Sequence, residues 1–295
     1  MQIFRFPFKA MACACEIVVA HHDFVQAQVV ADKAIAEVRR IERKFSRYQD
    51  DSILSQINQS AGKGAVAVDA ETWSLLEYAE NLFQSSEGLF DITSGILRRA
   101  WNFSKAELPS ERQLESLCAL IDWRRVERFD QQIRLPQVGM EIDFGGFGKE
   151  YASDRAGVIL IEQGIRSAYV NLGGDIRVLG PKPDGQAWQI GIQDPRESEQ
   201  LLASIPIERG GLATSGDYER YFELNGQRFC HILNPHTGQP VNYWRSITAM
   251  AALTTMAGSC TTIAMLMQER GLDFLQKTGV NFLAVDHLGR IFRNN

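Results

Sequence analysis

Residues Gly139–Asp154 read GMEIDFGGFGKEYASD, and the rest of the chain is best understood outward from them. Glu141–Phe144 alternates polar and apolar side chains and reads as a short strand. Gly145, Gly146 and Gly148 then remove three Cβ atoms from a turn, which lets backbone N–H groups approach a bound group. Lys149 follows at once. From Tyr151 through Ala156, Val158, Ile159 and Ile161 the apolar spacing is that of a helix lying on a core. A strand ending in an acid, a glycine turn, a lysine and a helix N-terminus together make a seat for a polyphosphate, because free amides and the helix dipole both favour anions. The same residues also read as a tight strand-to-helix connection with no ligand. The Walker pattern does not fit, since the places of its first Gly and its Ser/Thr hold Asp143 and Glu150. The letters DFG at Asp143–Gly145 belong to no kinase pattern, because neither an HRD loop nor a glycine-rich first strand precedes them.

Before this turn, residues 2–8 and 15–20 read as strands rich in β-branched and aromatic side chains. A helix follows between Phe24 and Phe45, with Val25, Val29, Ala34, Val38 and Ile41 on its core side. Tyr48 lies just past it and Asn58 near the end of a short helical turn; by themselves both read as loop packing. Asp69 is placed to cap a helix that ends near Gly88. In GLFDITSGIL, Asp91 and Thr93 stand between apolar residues, so this pair either points into a site or satisfies a turn. A further capped helix starts near Ser110.

After the turn, SAYVNLGGDIRVLG reads as two strands about a Gly173-Gly174 corner, and WQIGIQDP as another strand. Thr214, Ser215 and Asp217 crowd a glycine turn. Asn225-Gly226 signals a hairpin that pairs Tyr218–Leu224 with Arg228–Leu233 and delivers His231 toward NPHTGQP. Ser246–Leu253 reads as a strand, Met256–Gln268 as a helix and NFLAVDHLGRIFRNN as a closing hairpin. Strands and helices in both halves, without regular βαβ alternation, give an α+β class: mixed sheets flanked by helices, in two intimately packed halves.

With 295 residues and no linker, the chain is long enough for a full core. A formal charge of -5 with scattered basic residues argues against a nucleic-acid partner. Nothing approaches a membrane span, and the N-terminal stretch is broken by Arg5, Pro7, Lys9 and Glu16, so no signal peptide is read there. Five cysteines, an odd number, favour reduced thiols and a cytoplasmic location.

Six motifs occur in order across nearly the whole chain: Tyr48 with SILSQIN, GLFDITSGIL with Trp101, DFGGFGKEYASD, NLGGD, ATSGDYER and HILNPHTGQP. Each is weak singly; together they are specific. In this the chain resembles the ApbE-type FAD:protein FMN transferases, which move FMN from FAD onto a Ser or Thr hydroxyl of a target flavoprotein. The resemblance implies one domain of that type over residues 1–295. It puts Met11 and Tyr48 against the flavin end of FAD, Leu89, Phe90 and Asp91 along the ligand, Asp143 and Lys149 at the ribose and diphosphate, and Ile232 against the cofactor. Asn58 fits the asparagine of members that process FAD, and His231 falls at the reactive histidine. Magnesium would be held by a backbone carbonyl near Gly148 and by a helix start that here reads Ala257-Gly258-Ser259-Cys260-Thr261-Thr262, with Thr261 and Thr262 as remaining ligands.

Three departures stand out. Gly258 occupies the place of the metal-binding aspartate, so the cation is expected to bind weakly unless another acid, such as Asp175 or Asp217, fills the gap. Asn234 and His236 replace an Asp and an Arg. No lipoprotein signal precedes the domain. The chemistry implied is attack by a target hydroxyl on one phosphorus of the pyrophosphate, with AMP leaving, Lys149 and the turn amides neutralising charge and His231 taking the proton. FAD hydrolysis to FMN and AMP, and FAD binding without chemistry, are the alternatives.

Overall fold

The computed structural model describes residues 1–294; Asn295, at the end of the expected closing hairpin, lies outside the described residues. The chain opens with β1 (Gln2–Ala10) and β2 (Cys13–His21), then runs through α1 (Phe24–Lys44), α2 (Ile53–Gln59), β3 (Val66–Ala67), α3 (Ala70–Ser85), a 3-10 helix at Ile92–Arg99, α4 (Glu111–Cys118), β4 (Glu127–Phe129), β5 (Gln132–Arg134) and α5 (Gly148–Glu162). Then come β6 (Ala168–Leu172), β7 (Asp175–Val178), β8 (Trp188–Gln193), β9 (Leu201–Ile207), β10 (Gly210–Gly216), β11 (Tyr221–Leu224), β12 (Gln227–Cys230), β13 (Trp244–Ala251), α6 (Thr254–Met267), α7 (Gly271–Thr278), β14 (Asn281–Asp286) and β15 (Ile291–Arg293). Eight strands form one sheet in the order β1-β2-β6-β7-β10-β13-β14-β15, and every ladder in it is antiparallel. Small ladders β3-β5-β4, β8-β9 and β11-β12 flank it. The α+β class expected from the sequence is the one observed.

Apolar periodicity explains how α1 seats. Its buried stripe is Ala27, Val30, Ala31, Ala34, Ile35, Val38 and Ile41, packed with β1, β2, β6 and the inner side of α5 in one core cluster. Val25 and Val29, expected on this stripe, are instead exposed, because the stripe begins one residue further round the first two turns. A larger cluster joins α2, α3, the 139–147 segment, β13 and α6.

Three local expectations need correction. Glu141–Phe144 is an extended segment without a ladder: the Ile142 amide and carbonyl are taken by the Asn58 side chain, and the Asp143 amide by the Ile92 carbonyl at 2.9 Å. Thr214 and Ser215 lie within β10 rather than in a turn, paired with Thr248 and Ile247 of β13. On α5, Val158 and Ile161 face solvent, whereas Glu150, Ser153 and Asp154 are buried. The strand β9 and the helix α7 were not read from the sequence.

Candidate active site

The polar inner face of α5 is what brings the site together. Neither α5 nor α6 has a capping side chain at its own N-cap, where Phe147 and Leu253 stand. For α6 the cap comes from another helix. Asp154 of α5 accepts from the Thr254 amide (3.0 Å), the Thr255 amide (2.9 Å) and the Thr255 hydroxyl (2.7 Å), with the Arg177 guanidinium 3.7 Å away. This inter-helix cap satisfies orphan first-turn donors and fixes the first turn of α6 against the second turn of α5.

Lys149, in that first turn of α5, forms an ion pair with the buried Asp175 of β7. Burial pulls its ammonium downward, but the charges of Asp175 and Glu150 more than offset this and hold it above the ordinary lysine value. Glu150 is buried beside it, and its Oε2 has no hydrogen-bond partner. Burial first, then the charge of Asp175, pushes the Glu150 carboxyl up to about 8. On the α6 side, the Thr261 hydroxyl donates to the Gly258 carbonyl (2.9 Å), and the Ser215 hydroxyl of β10 lies 2.9 Å from that of Thr261 and 3.2 Å from that of Thr262. Gly148 and Lys149 thus stand at the start of α5, whereas Thr261 and Thr262, expected at a helix start, lie in the middle of α6, which already begins at Thr254.

His231 follows directly after β12. Its amide donates to the Arg220 carbonyl at 3.0 Å, while the ring Nδ1 is sealed from solvent with no partner. Burial, with the charges of Arg220 and Lys149 adding to it, pulls the imidazole down to about 4, so the ring is neutral at neutral pH. Ile232 beside it is buried.

Asp143 carries more of the design than its number suggests. One oxygen pairs with Arg47, the other accepts from the Gly145 amide at 3.1 Å, and Arg47 reaches on to the Tyr48 hydroxyl at 2.9 Å. Tyr48 is 78% exposed, as a ring awaiting a partner would be. Asn58 does not extend toward solvent: its amide group holds the Ile142 backbone at both ends, 3.0 and 2.7 Å, and so positions Asp143. Phe90 stacks on Phe147 with centroids 6.3 Å apart, and Gly146 leaves room for it, since a Cβ there would lie 2.7 Å from the Phe90 ring.

Asp91 has a structural occupation. Its carboxylate accepts from the Thr93 amide (2.7 Å), the Thr93 hydroxyl (2.6 Å) and the Trp123 amide (2.9 Å), which resolves the Asp91/Thr93 pair in favour of a turn. Leu89 is buried beside it. Met11 sits in the two-residue β1–β2 turn with φ of 51° and Ala12 with 59°, a left-handed pair usually given to Asn-Gly. The Met11 amide is tied to Glu42 Oε1 at 2.5 Å, and a strained non-glycine turn held this way is a feature found at ligand-contacting loops.

Sequence reading missed Arg47, Glu150 and Asp154. The last two lie in the motif itself, but residues of a helix with apolar neighbours are naturally assigned to its wet side. Among the described residues no three His, Cys, Asp or Glu side chains gather into a self-sufficient metal site. Two cavities, of about 290 and 410 Å³, are present: one is lined by Gly88, the candidate residue Asp91 and His236, the other by Arg40, Lys44 and Ser52. No helix is long and apolar enough to cross a membrane among the described residues.

Known proteins resemble this chain over most of its length. The ApbE family model matches residues 11–284. The FAD:protein FMN transferase of Vibrio cholerae serotype O1 is 30% identical over 268 residues, covering 88% of this chain and 78% of its own length. That of Treponema pallidum is 30% identical over 261 residues, covering 82% and 72% respectively. Among solved structures, the ApbE protein from Thermotoga maritima superposes with a TM-score of 0.92 at 31% identity, over 100% of this chain and 97% of its own. With its motifs in order, its fold matched end to end and its paired helix starts in place, the chain belongs to the ApbE family.

Proposed function

We propose that this chain is an FAD:protein FMN transferase, moving FMN from FAD to a Ser or Thr hydroxyl of a target flavoprotein. The acceptor oxygen bonds to the FMN phosphorus, the bond from that phosphorus to the bridging oxygen breaks, and AMP leaves with that oxygen. The observation that carries this reading is the neutral His231 ring, with Nδ1 unpartnered, in the field of Lys149. His231 accepts the proton of the attacking hydroxyl as the new bond forms. Lys149 and the positive end of the α5 dipole face the growing negative charge, and Arg47 with Asp143 fixes the loop before them. Met11, Tyr48, Leu89, Phe90 and Ile232 form the apolar contacts for the rest of FAD, while Asn58 and Asp91 hold the backbone that presents them.

The donors available at Gly148, Thr261 and Thr262 are all oxygen, the chemistry a magnesium ion selects. A magnesium ion bound there would neutralise charge on the pyrophosphate. We also place the protein in the cytoplasm, a reading supported by its odd set of five free thiols.

Incubation with FAD, Mg²⁺ and a flavin-acceptor protein is expected to add the mass of FMN, less water, to a Ser or Thr of the acceptor and to release AMP. His231→Ala is expected to slow transfer by about 10²-fold or more with FAD binding kept. AMP release that proceeds at full rate without acceptor would make the protein a pyrophosphatase instead.

A further inference from the structure

Where α5 meets α6, one buried acid lacks a hydrogen-bond partner among the described residues. Asp175 and Glu150 are both buried acids next to the single ammonium of Lys149, and Lys149 is bonded to Asp175. Glu150 is left with an oxygen that no protein group donates to. Such a group is costly to bury unless something compensates it. What it faces is informative. A Cβ built on Gly258 would lie 2.5 Å from Glu150 Oε1, 2.6 Å from its Cγ and 2.9 Å from its Cδ. The Glu150 carboxyl therefore fills the space that any side chain at position 258 would occupy; on the same helix the Thr261 hydroxyl donates to the Gly258 carbonyl, and the Thr261 and Thr262 hydroxyls meet that of Ser215.

The two acids considered from the sequence as replacements for an aspartate at 258 are engaged elsewhere. Asp175 pairs with Lys149, and Asp217 is held by Arg196 at 2.7 Å and Arg228 at 3.3 Å. We propose that Glu150 is the anionic ligand of a divalent cation between α5 and α6, delivered from α5 into the space left by Gly258, with the Thr261 and Thr262 hydroxyls of α6 as its neutral companions. This rests on the transferase reading only for the cation's use. Binding of the cation stands or falls separately. The expectation of weak cation binding is thereby revised: one hard carboxylate oxygen is already in place.

The proposal also explains why the two residues go together. Gly258→Asp alone would set a second side chain into space that Glu150 fills, whereas E150G/G258D moves the carboxylate from one helix to the other. The test uses Mn²⁺ alone, titrated into the full chain and followed by the loss of its free EPR signal. E150Q keeps volume and shape, and its thermal midpoint without metal is expected to equal or exceed that of the wild type, since it removes an uncompensated buried acid. Its Mn²⁺ affinity is expected to fall at least 10-fold, and E150G/G258D is expected to recover most of that loss. A folded E150Q that binds Mn²⁺ as the wild type does, or a wild type that binds none, overturns the proposal. If E150Q does not fold, E150G/G258D decides it: affinity near wild type supports the transfer of the ligand, and its absence overturns it. Flavin transfer to an acceptor, measured in parallel, reports on the enzymatic reading and leaves the binding result untouched.

Discussion

Asp154 is the residue whose loss should most clearly separate architecture from chemistry. Asp154→Ala removes three hydrogen bonds to the start of α6, at 2.7 to 3.0 Å, and takes the counter-charge from Arg177. The loss of an N-cap costs about 1 kcal/mol, and each buried donor left without a partner about 1–3 kcal/mol more. Thr254 and Thr255 are both buried, so water can rescue only part of this, and the Thr255 hydroxyl can turn to another acceptor. The sum is about 3–5 kcal/mol, a large share of the about 5–15 kcal/mol that holds a typical domain together. Asp154→Asn keeps one acceptor oxygen and is expected to cost about half as much. Urea unfolding followed by tryptophan fluorescence measures both, and amide exchange at Thr254 and Thr255 should accelerate before the rest of α6 does. A stability loss below about 1 kcal/mol in Asp154→Ala, with exchange unchanged, would refute the idea that α5 caps α6.

Asn58→Ala leaves the Ile142 amide and carbonyl without partners inside the core and is expected to cost about 2–4 kcal/mol, read from the urea midpoint, and to raise the KM for FAD by releasing Asp143. Because His231 is held down to about 4 in the folded chain against an ordinary value of 6.5, the unfolded chain binds more protons between those values. The stability this gives is complete above about pH 6.5 and declines as pH falls toward 4, by at most about 1.4 kcal/mol per pH unit, and His231→Gln should flatten that slope in urea midpoints measured across the window. The Cys13 thiol, held by its contact with Cys15 Sγ at 3.6 Å and by the Lys149 charge, is lowered to about 7, whereas burial pushes Cys230 and Cys260 up to about 11. Iodoacetamide at pH 7 followed by peptide mass spectrometry should therefore find Cys13 alkylated first.

The elements legible in the sequence were those whose polar and apolar residues follow the rule of burial. The β1–β2 pair, α1, α3, the Asn225-Gly226 hairpin and the closing hairpin all keep that rule, and their caps at Asp69 and Ser110 lie where short polar side chains precede an apolar run. Pairings such as β2 with β6, nearly the whole first half of the chain apart, leave no local trace, and neither does β9, whose residues are mostly part-exposed. The motif residues of the site were recognised by their order, but what several of them do was not. Asn58 and Asp91 look like ligand contacts in a sequence and act on backbone in the structure. The deepest misreading, on α5, has a cause that points back to function. Periodicity assigns Val158 and Ile161 to the core, but the structure exposes them and buries Glu150 and Asp154 instead. A helix buries acids at such a cost only where each one meets a demand that an apolar side chain cannot meet. For Asp154 that demand is visible as the capped start of α6. For Glu150 no described residue donates to Oε2, and the proposed cation is the group that would meet the demand.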